Sequence, residues 1–202
     1  RSNIFVKEDF QSCSHGVSLG VFVDEALSFA DSHAIPLDAV AVSCGPGSYT
    51  GLRIGVSMAK GVCYGRDIPL IGIPTVEILC VPILLYHELP DNALLCPMID
   101  ARRMEVFTAI YDKNYTQIRN TQAEIIDETS YQEISKKIHL VGDGTEKFKN
   151  TLTDDKFVFH SDVIFPSAKE MSELSFEKYK ISDFVDVAYF EPYYLKDFVL
   201  SK

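Results

Sequence analysis

The run Ser43-Cys44-Gly45-Pro46-Gly47-Ser48-Tyr49-Thr50-Gly51-Leu52-Arg53-Ile54-Gly55 decides how the rest of the chain is read. It follows an apolar stretch, Ala39 to Val42, with the length and composition of a short strand, and it leads into Leu52 to Tyr64, which has the pattern of a helix. Strand, tight loop and helix entry together mark an α/β unit. Gly45 and Gly47 flank Pro46, whose ring fixes φ, so positive φ is available on either side of a rigid turn. Ser48 or Thr50 is placed to cap the helix. From Gly47 onward, Gly51, Gly55, Ala59 and Cys63 recur at steps of four, a stripe with little side-chain bulk that another backbone can approach closely.

Two readings of this loop compete. Unpaired amides at a helix start bind anions, which would make it a phosphate site. The spacing fits neither phosphate motif: the third glycine of a G-x-G-x-x-G fingerprint comes one residue late, and Leu52 stands where a P-loop requires Lys. The other reading is a packing loop that lets a helix lie against its neighbour, and the spacing favours it.

The uninterrupted run Gly45 to Gly55, continued by Ala59-Lys60-Gly61 and Ile68-Pro69-Leu70-Ile71-Gly72-Ile73, closely resembles the TsaB (YeaZ) family. Its members are paralogues and partners of TsaD, the subunit that forms threonylcarbamoyladenosine on tRNA. The resemblance implies an α/β, two-lobed ASKHA fold, shared with actin, sugar kinases and heat-shock ATPases, with the lobes expected at residues 1–90 and 91–202. It also implies an opening strand hairpin with an acidic-Thr-Ser turn. Here Arg1-Ser2-Asn3 precede a short strand-like run, Ile4 to Val6, so that hairpin is expected to be missing or incomplete. The ending Glu191-Pro192-Tyr193-Tyr194-Leu195-Lys196 resembles the Pro-x-Tyr-Leu-basic ending of the family.

TsaD shares the Gly-Pro-Gly loop, and its strand corresponding to Leu70 to Ile73 leads into a His-x-x-x-His pair that holds the catalytic metal. A gapless extension puts those positions at Thr75 and Leu79, and neither replaces an imidazole. The resemblance therefore implies a non-catalytic subunit with no catalytic residue and no metal. It would pair with TsaD for threonylcarbamoyl transfer to N6 of adenosine 37 in tRNAs reading ANN codons. The implied setting is cytoplasmic, with the ATPase TsaE as a third partner, a homodimer when TsaD is absent, and tRNA met only through the complex. The partner surface is expected on the helices His15 to His33 and Leu52 to Tyr64, at Val17, Val21, Phe22, Gly47, Gly51, Arg53, Gly55, Ala59 and Cys63. The alternative is an enzyme in its own right, an ASKHA phosphotransferase or a metallopeptidase, which needs cleft carboxylates and a metal.

Composition bounds these readings. A net charge of −10, from 19 basic and 29 acidic residues in 202, argues against a chain that grips nucleic acid by itself. The five cysteines are dispersed with no C-x-x-C pair, which indicates neither a zinc site nor a disulfide framework. The longest apolar stretch, Ile78 to Tyr86, is half the length of a membrane span and contains Pro82.

Along the chain, Lys7 to Ser14 reads as a polar loop with Ser14 as a helix cap. In the following helix Leu19, Phe22, Val23, Ala26, Phe29 and Ala30 make one apolar face, with Val17 and Val21 outside it. Thr75 to Tyr86 reads as a second buried helix. Leu94 to Ile99 and Glu105 to Tyr111 read as paired strands, Thr116 to Ile126 as a third, and Thr129 to Lys137 as a short helix. Ile138 to Val141 is a strand ending in Gly142-Asp143-Gly144, with a helix expected from Thr145; Phe157 to His160 is a brief strand and Ser167 to Tyr179 a helix. The polar residues worth testing are Asp100, Arg102, Arg103, Glu105, Asp143 and Glu77. Gly142, Asp143 and Gly144 resemble the phosphate-side turn of ASKHA proteins. With Asp100 they make a vestigial nucleotide cleft, which implies weak ATP or ADP binding at most and no required cofactor.

Overall fold

The computed structural model describes residues 3–9 and 15–196, with residues 15–17 described by their backbone alone. The chain divides into two compact units. One joins the chain up to Ile73 with Ser167–Tyr193, the other Pro74–Pro166 with the chain from Tyr194 on. This differs from the expected division at residue 90. The helix Thr75–Tyr86 buries Val76, Leu79, Cys80 and Ile83 against Leu95, Ala109, Tyr111 and Val141, so its packing ties it to the second sheet. The segment after Pro166 returns instead to the first unit.

In the first unit, α1 (His15–Ser32) precedes β1 (Val40–Ser43), α2 (Tyr49–Arg66) and β2 (Leu70–Ile73). β1 and β2 pair in parallel, Val40 opposite Leu70 and Ser43 opposite Ile73, and α2 is the crossover between them. Ser48 caps α2 by accepting from the Gly51 amide at 3.3 Å, and Asp67 closes it in the left-handed conformation at φ 51°. Leu52, Val56, Ala59 and Cys63 form the buried face of α2. Ala59 and Cys63 meet Leu70, with Val40, Val42, Val185 and Phe190 around them. Residues 3–9 form no strand, against expectation; Phe5 instead packs on Phe29 with ring centroids 5.1 Å apart. Ser14, expected to cap α1, lies outside the described residues, as does Cys13.

In the second unit α3 (Thr75–Tyr86) covers one face of a five-stranded sheet in the order β5-β4-β3-β6-β7. The strands are β3 (Leu94–Asp100), β4 (Glu105–Asp112), β5 (Gln117–Ile125), β6 (Ile138–Val141) and β7 (Phe157–His160). β3 pairs antiparallel with β4 and parallel with β6, so it is central, and its buried run from Leu94 to Met98 is apolar on both faces. Cys96, Met98, Val106 and Ile110 fill the other side with Tyr131, Phe148 and Leu152.

Two expected helices are turns. Over Thr129 to Lys137, Asp127 accepts from the Thr129 amide and hydroxyl, and Tyr131 takes φ +64°, which ends any helical run. After Thr145 only one 3₁₀ turn forms, Glu146–Phe148. The helix expected from Ser167 begins as a 3₁₀ turn, Ala168–Glu170, and continues as α4 (Met171–Lys180), which packs on β2 in the first unit. Among the described residues no helix is long and apolar enough to cross a membrane, and Cys44, Cys63, Cys80 and Cys96 are free thiols.

Candidate functional site

An open groove of about 790 Å³ runs along α2 in the first unit, bounded by Leu27 of α1. Ile54, Met58 and Val62 make its apolar floor, and Arg53 and Arg66 stand at its ends. Arg66 donates both terminal nitrogens to Asp31 at 2.8 and 2.6 Å, which ties the end of α2 to α1. That pairing holds the Asp31 carboxyl below the ordinary carboxylate value. Gly61 and Gly65 line the groove wall, and a Cβ built on either meets no atom within 4 Å. The α1 residues Leu19, Phe22, Val23, Ala26 and Phe29 are only half-buried, and Val21 is 52% exposed. An apolar helix pair left this open in one unit has the composition of a docking face.

The expected interface residues divide around this groove. Arg53 lines it and points to solvent; Val21 is exposed on α1, and Phe22 lines an adjoining hollow with Ser48, Gly51 and Ile54. Gly55 has open space where a side chain would go. Ala59 and Cys63 are a correction: at 6% and 1% exposure they face the unit's own strands, because steps of four drift around a helix of 3.6 residues per turn and carry the stripe from the open face to the core. Gly47 belongs to the turn and is half-buried. The backbone of Val17 lies in the first turn of α1, and its side chain is outside what is described.

The Gly-Pro-Gly loop is a packing turn. Gly45 has φ +111°, and a Cβ there would stand 2.6 Å from the Tyr193 carbonyl oxygen. The Tyr193 amide donates to the Cys44 carbonyl at 2.7 Å, so the loop receives the returning chain on its backbone.

In the second unit, Asp100, Asp143 and Lys147 converge beside the β3–β4 turn. Asp143 Oδ1 accepts from the Asp100 amide at 2.9 Å, and Asp100 Oδ1 accepts from the Arg102 amide at 2.9 Å. Lys147 donates to Asp100 at 2.5 Å and to the Glu105 carbonyl at 2.8 Å, while Lys196 pairs with the Glu105 carboxylate. Burial pushes the Asp100 carboxyl up, but the Lys147 ammonium and Arg102 amide outweigh it and hold it below the ordinary range. Surrounding protein and the Asp100 charge push Asp143 the other way, upward. The turn amides are committed within the protein: Gly142 donates to Val163, Gly144 to Met98 and Thr145 to Gly142, all to carbonyls. Those three donors leave little of the cradle that phosphate binding needs. Arg102 and Arg103 sit at positive φ in the turn, and Asp100 meets Arg102 through the Arg102 backbone amide. At the two positions compared with the His-x-x-x-His pair, Thr75 is buried in the first turn of α3 and Leu79 is 1% exposed in the core.

A family model described as TsaD, tRNA N6-adenosine threonylcarbamoyltransferase, matches residues 9–190. The tRNA threonylcarbamoyladenosine biosynthesis protein TsaB of Escherichia coli K12 is 28% identical over 207 aligned positions, covering 98% of this chain and 88% of that protein. The tRNA N6-adenosine threonylcarbamoyltransferase of Salinibacter ruber is 30% identical over 139 positions, covering 69% of this chain and 40% of that enzyme. Among solved structures, YeaZ from Pseudomonas aeruginosa superposes with a TM-score of 0.74 at 18% identity, over 93% of this chain and 87% of that one.

Proposed function

The chain belongs to the TsaD family, with the ASKHA-like α/β fold and full-length likeness of its TsaB (YeaZ) branch, and from that premise we propose that it acts in forming threonylcarbamoyladenosine on tRNA as a non-catalytic subunit that binds TsaD. The α1–α2 face is the contact surface, and the transfer to N6 of adenosine 37 in tRNAs reading ANN codons belongs to TsaD. The observation that carries this reading is the open apolar groove floored by Ile54, Met58 and Val62. Groove and half-buried α1 residues together offer the kind of apolar centre with a charged rim that stable interfaces use. The non-catalytic part is supported by chemistry: Leu79 packs in the core where an imidazole would be needed. The same surface serves a homodimer when TsaD is absent; TsaE, tRNA and a cytoplasmic setting enter through the complex, and any ATP or ADP bound is held weakly.

Sedimentation velocity of the chain with equimolar TsaD tests this. Wild type is expected to form a one-to-one complex, and Ile54→Asp or Met58→Asp to weaken it at least ~30-fold, since each buries a charge at the centre of the contact. Unchanged binding by both variants would move the interface elsewhere. ATP turnover by the isolated chain that disappears in Asp143→Ala would replace the scaffold reading with an enzymatic one.

A further inference from the structure

A second site, independent of the reading above, is carried by four side chains in the second unit. His87 follows the last turn of α3, where its amide donates to the Ile83 carbonyl at 3.1 Å. His160 is the last residue of β7, paired with Val141, and Asp162 stands two residues on. Val163 accepts from the Gly142 amide at 3.0 Å, which fixes this segment beside the end of β6. One ligating atom from each of His87, His160 and Asp162 lies within 4.8 Å of the other two.

These three side chains stand close to the geometry that a small divalent ion imposes. His87 Nε2 and Asp162 Oδ2 are 3.3 Å apart. Zinc bonds of about 2.0–2.2 Å at tetrahedral angles separate neighbouring ligands by about 3.3–3.5 Å, so this pair already has the spacing. The wider separations close by rotation of His87 and Asp162, whose side chains are 33% and 61% exposed and have room to move. His160 is fixed: it is 8% exposed, and its ring meets that of His87 edge to face with centroids 4.6 Å apart.

Behind it stands His139 on β6, 7% exposed, with Nδ1 2.9 Å from His160 Nε2. One ring of that pair must donate and the other accept, so His139 sets which nitrogen of His160 carries the proton and which is left bare. Metal-binding histidines are held in this way by a partner on their second nitrogen.

We propose that His87, His160 and Asp162 bind one divalent ion of the zinc class, with His139 as the positioning residue for His160. Two imidazoles and one carboxylate suit zinc, cobalt or nickel over magnesium or calcium, which prefer all-oxygen sites. The exposed Asp162 side gives the ion its path in and leaves a coordination position for water. A bound ion would tie the end of α3 to the segment after β7.

The test is calorimetric titration of the full chain with zinc chloride in a buffer free of chelators, repeated with cobalt(II) and followed by absorption. One equivalent is expected to bind, with a weak d–d spectrum of nitrogen and oxygen ligands and a rise in Tm that scales with zinc concentration. His87→Ala and Asp162→Asn, both at positions with solvent access, should fold as wild type and lose at least ~10-fold in affinity; His139→Gln should lose about 10–100-fold while keeping the one-to-one stoichiometry. No saturable binding up to about a millimolar, equal binding by wild type and both ligand variants, or thiolate-to-cobalt charge-transfer bands would each overturn the assignment.

Discussion

Gly45-Pro46-Gly47 in the first unit and Gly142-Asp143-Gly144 in the second invite the same reading and are built by the same constraint. Each follows a strand, one residue on in the first and directly in the second, and each opens with a glycine at nearly identical positive φ, +111° and +110°. In each, an added Cβ would collide with a backbone carbonyl oxygen, Tyr193 at 2.6 Å in one and Met98 at 2.4 Å in the other. Glycine is required there so that two stretches of main chain can touch; at the first turn the Cys44 carbonyl accepts the Tyr193 amide, and at the second the Gly142, Gly144 and Thr145 amides are spent on carbonyls within the protein. The elements beyond the two turns differ. The first turn releases an 18-residue helix whose far face is open, the second a single 3₁₀ turn whose Phe148 is buried. Two turns that look like ligand loops are thus packing devices, and the helix that leaves the first carries the open apolar groove.

The largest effect should come from breaking the device itself. Gly142→Ala combines left-handed strain with overlap on the Met98 carbonyl, and is expected to cost about 3–5 kcal/mol. Gly45→Ala should cost a similar amount, read as a loss of Tm or of soluble protein. If either is tolerated within about 1 kcal/mol, the close-approach account of that turn fails.

The glycines of α2 sharpen the contrast with the opposite sign. Gly61 has helical neighbours on both sides, no positive φ and open space around a built Cβ, so nothing within the unit requires it. Gly61→Ala should therefore stabilise the isolated chain by about 0.5–1 kcal/mol in urea unfolding. A loss of stability would mean that the groove wall is packed from within the chain and is not an open surface.

Much of this was legible in the residues. The strands β1 to β7 and the helices α1 to α3 stand where the residues put them, because short strands bounded by turns and a small-residue helix leave local marks. Tyr131 is the instructive miss. Nothing in Thr129-Ser130-Tyr131-Gln132-Glu133 forbids a helix, but Asp127 captures the Thr129 amide and Tyr131 turns left-handed to reach the core, a tertiary demand. The stripe Gly51, Gly55, Ala59, Cys63 was visible, whereas its drift from open face to core required knowing where the strands lie. The His87, His160, Asp162 cluster was not legible at all: His87 is separated from the other two by several strands of the sheet, and no local spacing announces them.

The two turns also differ in the acid that only the second contains, and here the expected effect is smallest. Asp143 has its carboxyl pushed above the ordinary value of 3.8 by surrounding protein, with the Asp100 charge adding to it. A group with a raised folded-state pKa contributes stability that is fully present below its unfolded value and is lost as pH rises through the raised one. Asp143→Asn mimics the protonated form and keeps an oxygen to accept the Asp100 amide, so it should raise Tm at about pH 7 by about 1–2 °C and give no gain near pH 3. Asp100→Asn should do the reverse. The Lys147 ammonium and Arg102 amide hold that carboxyl below the ordinary value, so its contribution is present at neutral pH and lost as pH falls. Thermal melts of both variants across that range decide the matter. Should Asp143→Asn melt below wild type at neutral pH, the carboxylate is stabilised at that turn by something beyond Asp100 and Lys147, and the turn in the second unit is no longer the simple packing device that its glycines describe.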